Sequence, residues 1–198
     1  MLKLLGGKAP AGKAGAKGAT DKQRALHTKG KFLKAEAQGT PEQQCVADNE
    51  GAVAFLGHHF AGMSGVAWVC AIHPETGEIK TQSAPTDETH KLRPFIEQHN
   101  GTWNLYFGVN PAKRLVKEKP TKADILHAAY LHVDIDPIDG RPLAAEKQRI
   151  VKLVEAYPIQ PTTIVDTGGG VAAYWRLREP MDANVAETLN RQLAKDFG

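Results

Sequence analysis

The sequence predicts an α+β domain, because short apolar strands alternate along the chain with helix-periodic segments. Apolar, aromatic or β-branched runs predict strands at 66–72, 103–109, 130–135, 162–165 and 171–177. Helical patterns predict helices at 42–60 (with a break near 49–51), 86–99, 142–157 and 182–197. The turn at 73–77 predicts a hairpin between the first strand and a short return strand through Ile79.

Two local features refine these elements. The helix at 142–157 is amphipathic, with Leu143, Ile150, Leu153 and Val154 on one side and Glu146, Lys147 and Arg149 facing away. Pro180 is expected to end the strand that starts at Val171, because proline cannot donate a ladder hydrogen bond.

The first 40 residues have a different composition from the rest. Residues 6–19 are rich in Gly, Ala and Lys without an apolar period, so they cannot bury enough surface to offset their ordering entropy. The net charge of +3 comprises +8 in residues 1–34 and −5 in the remainder. We therefore expect a flexible basic tail over 1–40, either simply solvated or touching nucleic-acid phosphates, and a domain over 41–198 that begins at the helix cap Thr40-Pro41.

The overall composition argues against several classes of protein. Hydrophobic residues make up 41% of the chain, and no apolar run approaches the roughly 20 residues of a membrane helix. The amino terminus lacks a secretory signal pattern. Cys45 and Cys70 form no CxxC motif, so neither a disulfide framework nor a zinc site is implied. These features predict a cytoplasmic protein without a membrane partner.

The segment His132-Val-Asp134-Ile-Asp136-Pro137 is the sharpest chemical signal. Because side chains alternate along a strand, Asp134 and Asp136 project to the same side while Val133 and Ile135 point into the core. Neighbouring carboxylates repel each other unless a cation lies between them, and Mg²⁺ prefers carboxylate and phosphate oxygens. The pair is a candidate metal–nucleotide site, although a lone pair of this kind more often marks an exposed strand end.

A triple glycine between two apolar strands is the second signal. The amides of Gly168, Gly169 and Gly170 can approach a ligand closely and cradle phosphate oxygens, and Thr167 adds a hydroxyl and Arg176 a cation. An ordinary glycine hairpin explains the same residues without a ligand.

The aromatic strand near residue 105 is the third signal. Asn104 and Asn110 flank it, and the cations Lys113 and Arg114 follow. This arrangement fits a wall that faces phosphate or a DNA template, and equally an aromatic core strand with a basic loop.

Taken in order, these segments resemble the archaeo-eukaryotic primase superfamily, specifically the primase-polymerase domains of phages and mobile plasmids, including the RepB-like primases. The matching series is PTDxxH (85–90), FIxxHN (95–100), NLYFGVNP (104–111), KADI (122–125), HVDIDP (132–137) and DTGGGxxxYWRL (166–177). No single motif is highly specific, but the ordered series covers roughly residues 50–198.

The resemblance implies an RRM-like catalytic core with a mixed or antiparallel sheet flanked by helices. It implies a DNA primase or polymerase of a phage- or plasmid-encoded replication system in a bacterial cell, which adds nucleotides to a primer on a DNA template. Asp134 and Asp136 would hold Mg²⁺ or Mn²⁺, and residues 167–170, Lys122 and Arg176 would contact the nucleoside triphosphate. Asn104, Asn110, Lys113 and Arg114 would contact DNA or phosphate, and a replicative helicase module would be a natural partner.

Two departures from the family pattern leave an alternative open. The family has His or Gln at the position of Ala172, and it has a third acid on a later strand, for which Asp166 is a weak substitute. On this basis the chain is expected to be truncated at its carboxyl end. The alternative is a catalytically impaired nucleotide- or DNA-binding module of a mobile-element replication protein. A metal-dependent phosphoesterase that uses His132 with the acids is a third reading.

Overall fold

A computed structural model of the chain describes residues 2–5 and 47–197. The strands in these ranges are β1 Leu2–Leu5, β2 Val66–Ile72, β3 Ile79–Pro85, β4 Asn104–Gly108, β5 Ala128–Ile135, β6 Thr163–Asp166 and β7 Val171–Met181. The α-helices are α1 Asn49–Phe60, α2 Arg93–His99, α3 Leu143–Glu155 and α4 Ala183–Phe197, with 3₁₀ turns at Thr86–Leu92 and Lys122–Asp124. The predicted tail, apart from β1, and the boundary at Thr40-Pro41 lie outside the described residues. The α+β class is confirmed.

The first sheet has the strand order β1-β4-β2-β3. β2 and β3 form the predicted hairpin, β4 pairs antiparallel with β2, and β1 pairs parallel with β4. Gly108 is needed at the end of β4, because a Cβ there would lie 2.0 Å from the ring of Trp68 on the neighbouring strand. The indole therefore packs directly on the β4 backbone.

The second sheet has the order β5-β7-β6, and both of its pairings are antiparallel. Since β5 and β6 both run opposite to β7, they run in the same direction and their carboxyl ends meet at one end of the sheet. The bend at 167–170, which leads into β7, lies at this same end. We call this region, with the exposed residues Asp134 and Asp136 and the bend 167–170, the carboxyl end of the second sheet.

Two large apolar clusters cover the two faces of the second sheet. One face packs against α3 and α4 through Val133, Ile135, Ile150, Val154, Val171, Trp175 and Phe197. The opposite face contributes Tyr130, Ala172 and Tyr174 to the core that is shared with α1, α2 and the first sheet. A third, smaller cluster on the first sheet comprises Val66, Trp68, Cys70 and Ala112. No helix within 2–5 and 47–197 is long and apolar enough to cross a membrane.

The two sheets are joined by a polar contact, which we call the joint. The side-chain oxygen of Asn110 accepts hydrogen bonds from the backbone N–H groups of Ala129 and Tyr130, at 2.8 and 2.9 Å. Its Nδ2 donates to the carbonyl of Tyr130 at 3.2 Å. His59 completes the joint by stacking on the Tyr130 ring, with the centroids 4.2 Å apart. Asn110 thus ties the chain after β4 to the start of β5.

Three element boundaries differ from the sequence predictions. The expected break near 49–51 is the start of α1, where Asp48 caps the helix by accepting from the Gly51 N–H at 2.8 Å. The segment 86–99 is a 3₁₀ turn followed by α2, with non-helical angles at Glu88. The prediction that Pro180 ends a strand is wrong, because β7 continues to Met181. The register shifts between Ala128 and Tyr130, and such an irregularity tolerates a residue without an N–H.

Candidate functional site

Asp134 lies on β5, and Asp136 directly follows the last residue of that strand, Ile135. Both are exposed, whereas their neighbours Val133 and Ile135 are buried and pack towards α3 and α4. Asp134 therefore faces away from these helices, and its cross-strand neighbour on β7 is Ala172. The predicted strand alternation is present up to Ile135, and Asp136 lies just beyond the strand, so the joint action of the two carboxylates stays a prediction.

The glycine bend lies directly against the segment that carries the acids. A Cβ on Gly170 would lie 2.6 Å from the carbonyl oxygen of Ile135 and 3.5 Å from Cδ of Pro137. Glycine at 170 thus permits a close backbone contact with the chain between and just after the two acids. The structure brings Asp134, Asp136 and the bend 167–170 together, as the motifs predicted.

Hydrogen bonds within the bend already engage two of its glycine amides. The N–H of Gly168 donates to Oδ1 of Asp166 at 2.7 Å, and the N–H of Gly170 donates to Oγ1 of Thr167 at 3.0 Å. The hydroxyl of Thr167 is therefore turned into the bend, and the residue is buried. Among the described residues, no acceptor meets the N–H of Gly169, which is exposed.

The three glycines differ in why the fold requires them. Gly168 has φ of +85°, a conformation that strains other residues, and Gly170 makes the close contact with Ile135. Gly169 has neither constraint, since nothing lies within 4 Å of a Cβ built there. The middle glycine is therefore the position at which the bend leaves room for a ligand.

Asp166 lies on the other face of the sheet from Asp134. It follows Val165, which packs against the shared core, and so it points towards α3, where Nζ of Lys147 donates to it at 2.7 Å. Burial raises the pKa of Asp166, but the hydrogen bonds from Lys147 and Gly168 outweigh burial and leave it below its ordinary value. Asp166 anchors the bend and does not join the acidic pair.

The prediction that Glu146 faces solvent is wrong, because only 3% of its surface is exposed. Its carboxylate accepts from the N–H of Ile138 at 3.1 Å, from Nη1 of Arg141 at 3.2 Å and from Nη2 of Arg149 at 2.9 Å. The bonds from Arg149, Ile138 and Arg141 lower the pKa of Glu146 to about 2. A carboxylate this well paired can be buried, which amphipathic periodicity alone does not reveal.

Three further residues of α3 also differ in exposure from the prediction. Lys147 turns inward to Asp166, with 19% of its side chain exposed. Leu143 and Leu153, expected in the core, are 47% and 37% exposed, while Ile150 and Val154 are fully buried as predicted. The adjacent residues Glu146 and Lys147 thus anchor the two loops at the carboxyl end of the second sheet.

His132 is in phase with Asp134, but α4 engages it. Asn190 accepts from the backbone N–H of His132 at 3.0 Å, and its Nδ2 lies 3.2 Å from Nδ1 of the ring. Burial, with a contribution from the charge on His59, lowers the pKa of His132 to about 4. Within 2–5 and 47–197, no three His, Cys, Asp or Glu residues gather as a metal-binding group. Within the described residues, the two acids are therefore not joined by a third residue of these types.

The charge of Asp134 reaches tyrosines on both sheets. Burial raises the pKa of Tyr174 well above its ordinary value, and the nearby charge of Asp134 raises it further. Burial and the same charge raise the pKa of Tyr106 on β4. The hydroxyl of Tyr174 and Nδ1 of His59 are buried without a hydrogen-bond partner in the described ranges. Asp134 therefore lies beside the shared core and close to the first sheet.

Two predicted nucleotide contacts lie away from the bend. Nη2 of Arg176 donates to the carbonyl of Ala61 at 2.6 Å, and Arg176 is five residues along β7 from Val171, roughly 17 Å. Nζ of Lys122 is 2.6 Å from the carboxylate of Glu187, near the start of α4. The structure does not bring these two cations to the bend.

The residues predicted to contact DNA have different surroundings. Asn110 forms the joint and uses both ends of its amide there. Asn104 is half-buried at the start of β4. Lys113 donates to the carbonyl of Ala123 at 2.7 Å, and Arg114 is 3.5 Å from Asp124. Both cations are exposed on one loop, so their predicted contact with DNA stays a prediction.

Sequence reasoning missed Glu146, Lys147 and Asn190. A charged pair on the core side of a predicted helix, between Leu143 and Ile150, was the available signal for the first two. Ala172 is the cross-strand neighbour of Asp134 and is 1% exposed within the shared core, so the fold favours a small side chain there. No protein-family model matches the chain, and no curated protein or solved structure matches it either.

Proposed function

We propose that this chain carries a primase-polymerase nucleotidyltransferase domain whose site is the carboxyl end of the second sheet. The observation that carries the proposal is the exposed acids Asp134 and Asp136 at the end of β5, next to a glycine bend that packs against Ile135 and Pro137. Two carboxylates beside backbone amides supply the two opposite kinds of group that a metal–triphosphate complex needs.

The topology of the second sheet supports an RRM-like core. Its elements follow the order β5-α3-β6-β7-α4, and its strands lie in the order β5-β7-β6. A β-α-β-β-α run with the third strand between the first two is the beginning of the six-element β-α-β-β-α-β fold. The acids lie at the carboxyl end of β5, where the carboxyl end of β6 and the start of β7 also meet.

The donor set fits Mg²⁺ or Mn²⁺. Both ions prefer oxygen ligands, and they commonly take one or two carboxylates together with substrate phosphates and water. When bound, such ions would lower the pKa of the primer 3′-hydroxyl, so that its proton passes to water, and would neutralise the leaving pyrophosphate. The 3′-oxygen then bonds to the α-phosphorus of the nucleotide while the bond to pyrophosphate breaks.

The residues of this chain would orient that exchange. Asp134 and Asp136 hold the metal-binding side, and the shared core behind Asp134 excludes water from one flank. The N–H of Gly169 donates to a phosphate oxygen, while Thr167 and Asp166 keep the bend in shape through their own hydrogen bonds. The DNA template and a nucleoside triphosphate are the implied ligands, and a replicative helicase module is an implied partner in a phage- or plasmid-encoded system.

One observation favours the second candidate, a nucleotide- or DNA-binding module without catalysis. Ala172 is the cross-strand neighbour of Asp134 and offers no hydrogen-bond donor, and Asp166 is turned to the opposite face. Losing one charge-assisted hydrogen bond costs about 1.5–3 kcal/mol. Binding would survive such a loss more readily than turnover.

Labelled-nucleotide incorporation on a primed single-stranded template with Mn²⁺ tests the proposal. We expect wild type to extend the primer and Asp134→Ala/Asp136→Ala to lose extension. Asp139→Ala is the matched control, since Asp139 is an exposed carboxylate in the loop that follows the pair. Extension should persist in that variant.

Other results would redirect the assignment. Nucleotide binding without extension by wild type would support the binding module. Metal-dependent phosphate release from a simple phosphate ester, lost with the two acids, would support a phosphoesterase. Extension that survives in the double variant would contradict the proposed site.

A further inference from the structure

Two arginines converge on one buried carboxylate next to the proposed site. Arg149 binds Glu146 through Nε and Nη2, and Arg141 binds it through Nη1. Because both guanidinium groups contact the same carboxylate, they lie side by side. The three groups together carry a net charge of +1.

The two guanidinium groups retain both exposure and hydrogen-bonding capacity. The side chains of Arg141 and Arg149 are 54% and 38% exposed, whereas that of Glu146 is 4% exposed. The Glu146 bonds use Nη1 of Arg141 and leave its Nε and Nη2 for another acceptor. Nη1 of Arg149 is likewise directed to no acceptor among the described residues. An exposed pair of fork-shaped donors, held from behind by a buried anion, is suited to phosphate oxygens.

The position of this pair follows from the course of the chain. The backbone N–H of Ile138 binds the same Glu146 carboxylate, and Ile138 is two residues after Asp136, a span of at most roughly 7 Å. Glu146 is in the first turn of α3, which follows β5 and so begins at the carboxyl end of the second sheet. The arginine pair is therefore at the same end of the sheet as Asp136 and the glycine bend, on the side covered by α3, whereas Asp134 faces the opposite side.

The proposed substrate needs cations at this end. A triphosphate brings several negative charges towards two carboxylates, while Lys122 and Arg176 are engaged elsewhere and Lys147 is paired with Asp166. The amides of Gly168 and Gly170 are also engaged within the bend. Arg141 and Arg149 are cations whose partner leaves donor groups available.

We propose that Arg141 and Arg149 bind the phosphates of the nucleotide, with Glu146 as the positioning residue that holds both guanidinium groups in place. The inference rests on the proposed function for the identity of the ligand, a nucleoside triphosphate. Anion binding by the pair is a separate property that can be measured without primer extension.

The test is equilibrium binding of a fluorescent deoxynucleoside triphosphate with Mn²⁺, repeated with inorganic tripolyphosphate as competitor. Arg141→Ala is the main variant, because Arg149 still pairs with Glu146 and the fold is preserved. We expect it to weaken binding of both probes roughly tenfold, as loss of one charge-assisted contact implies. Arg141→Lys should recover part of the loss, because it restores the charge without the fork.

Lys152→Ala is the matched control, since Lys152 is an exposed cation on the same helix. Its binding should stay within about twofold of wild type, because screened charges at a distance contribute little. A second variant, Glu146→Gln/Arg149→Gln, replaces the ion pair with neutral side chains and so removes the group that holds Arg141 in place. It should lose tripolyphosphate binding to a similar extent as Arg141→Ala.

The outcomes separate the two proposals. Wild-type affinity of Arg141→Ala for both probes would overturn the inference, even if the protein extends primers. Arginine-dependent binding without primer extension would sustain the inference while contradicting the polymerase. If extension occurs, Arg141→Ala should raise KM for the nucleotide more than it lowers kcat. Failure of wild type to bind either probe would overturn both proposals.

Discussion

Polar residues lie at strand ends in two regions of the molecule, the joint and the carboxyl end of the second sheet. Their surroundings differ between the two regions. At the joint, the Asn110 amide meets backbone groups of β5 on both its oxygen and its nitrogen. At the carboxyl end, Asp134 and Asp136 are exposed beside a bend that leaves the Gly169 N–H without an acceptor in the described chain. In the first region the polar side chain holds the fold together, and in the second the polar side chains are exposed.

This difference teaches how similar motifs should be interpreted. In the sequence, an asparagine after an aromatic strand and an aspartate at the end of an apolar strand both look like surface ligands. Which role each takes depends on whether backbone donors from a distant segment reach it. Asn110 meets such donors from β5, 19 and 20 residues away.

The largest expected effect is on stability, from Asn110→Ala at the joint. Three hydrogen bonds are lost and two backbone N–H groups of buried residues lose their acceptor, so the free energy of unfolding should fall by about 3 kcal/mol. Urea denaturation measures this change. Asn104→Ala, at the other end of β4, is the control and should change stability by less than about 0.5 kcal/mol. Equal decreases in the free energy of unfolding for the two variants would contradict the stabilising role assigned to the joint.

Acidification should also weaken the joint through His59. Burial, with the charge of Arg176, holds the pKa of His59 at about 4, against 6.5 for the unfolded chain. The unfolded state therefore binds an additional proton between these values. His59 and His132, which both have a pKa of about 4 in the folded chain, should each lower stability by up to about 1.4 kcal/mol per pH unit as the pH drops from 6.5 towards 4. Urea curves at several pH values measure the slope.

The pH test has its own control. In His59→Phe the slope between pH 6.5 and 4 should decrease, because the titrating group is gone. Glu146 contributes to the pH dependence in a lower pH range. Its ionised carboxylate stabilises the fold above about pH 4.5, and this stabilisation is lost as the pH falls towards about 2. A slope unchanged in His59→Phe would show that the buried imidazole is not the group responsible.

The smallest effect on stability is expected at the carboxyl end, from Gly169→Ala. A Cβ meets no atom within 4 Å there, so stability should change by less than about 0.5 kcal/mol. Nucleotide affinity should nevertheless fall roughly tenfold, because the methyl group occupies the space in front of the amide. Urea denaturation and nucleotide titration on the same sample measure both. An unchanged nucleotide affinity of this variant would indicate that Gly169 belongs to an ordinary hairpin and does not contact the nucleotide.

Much of the architecture follows from local pattern. Apolar, aromatic and β-branched runs predicted the strands around Val69, Val133 and Ala173, and alternation correctly predicted that Val133 and Ile135 are buried while Asp134 is exposed. The glycine bend and the strand pair on either side of it were also evident from composition.

The remainder depends on partners distant in sequence. Burial of Glu146 requires Arg141, Arg149 and the Ile138 amide together, and no helical periodicity encodes that compensation. The continuation of β7 through Pro180 depends on an irregular register with β5. The orientation of Asp166 follows from its pairing with Lys147, which is on another element.

Manganese binding followed by electron paramagnetic resonance, with a deoxynucleoside triphosphate present, tests the central claim most directly. Wild type and the control Asp139→Asn should give the same protein-bound manganese signal, and Asp134→Asn/Asp136→Asn should lose it while remaining folded. A bound signal that is unchanged in the double variant, or absent from wild type, would contradict the assignment of a metal–nucleotide site to the carboxyl end of the second sheet.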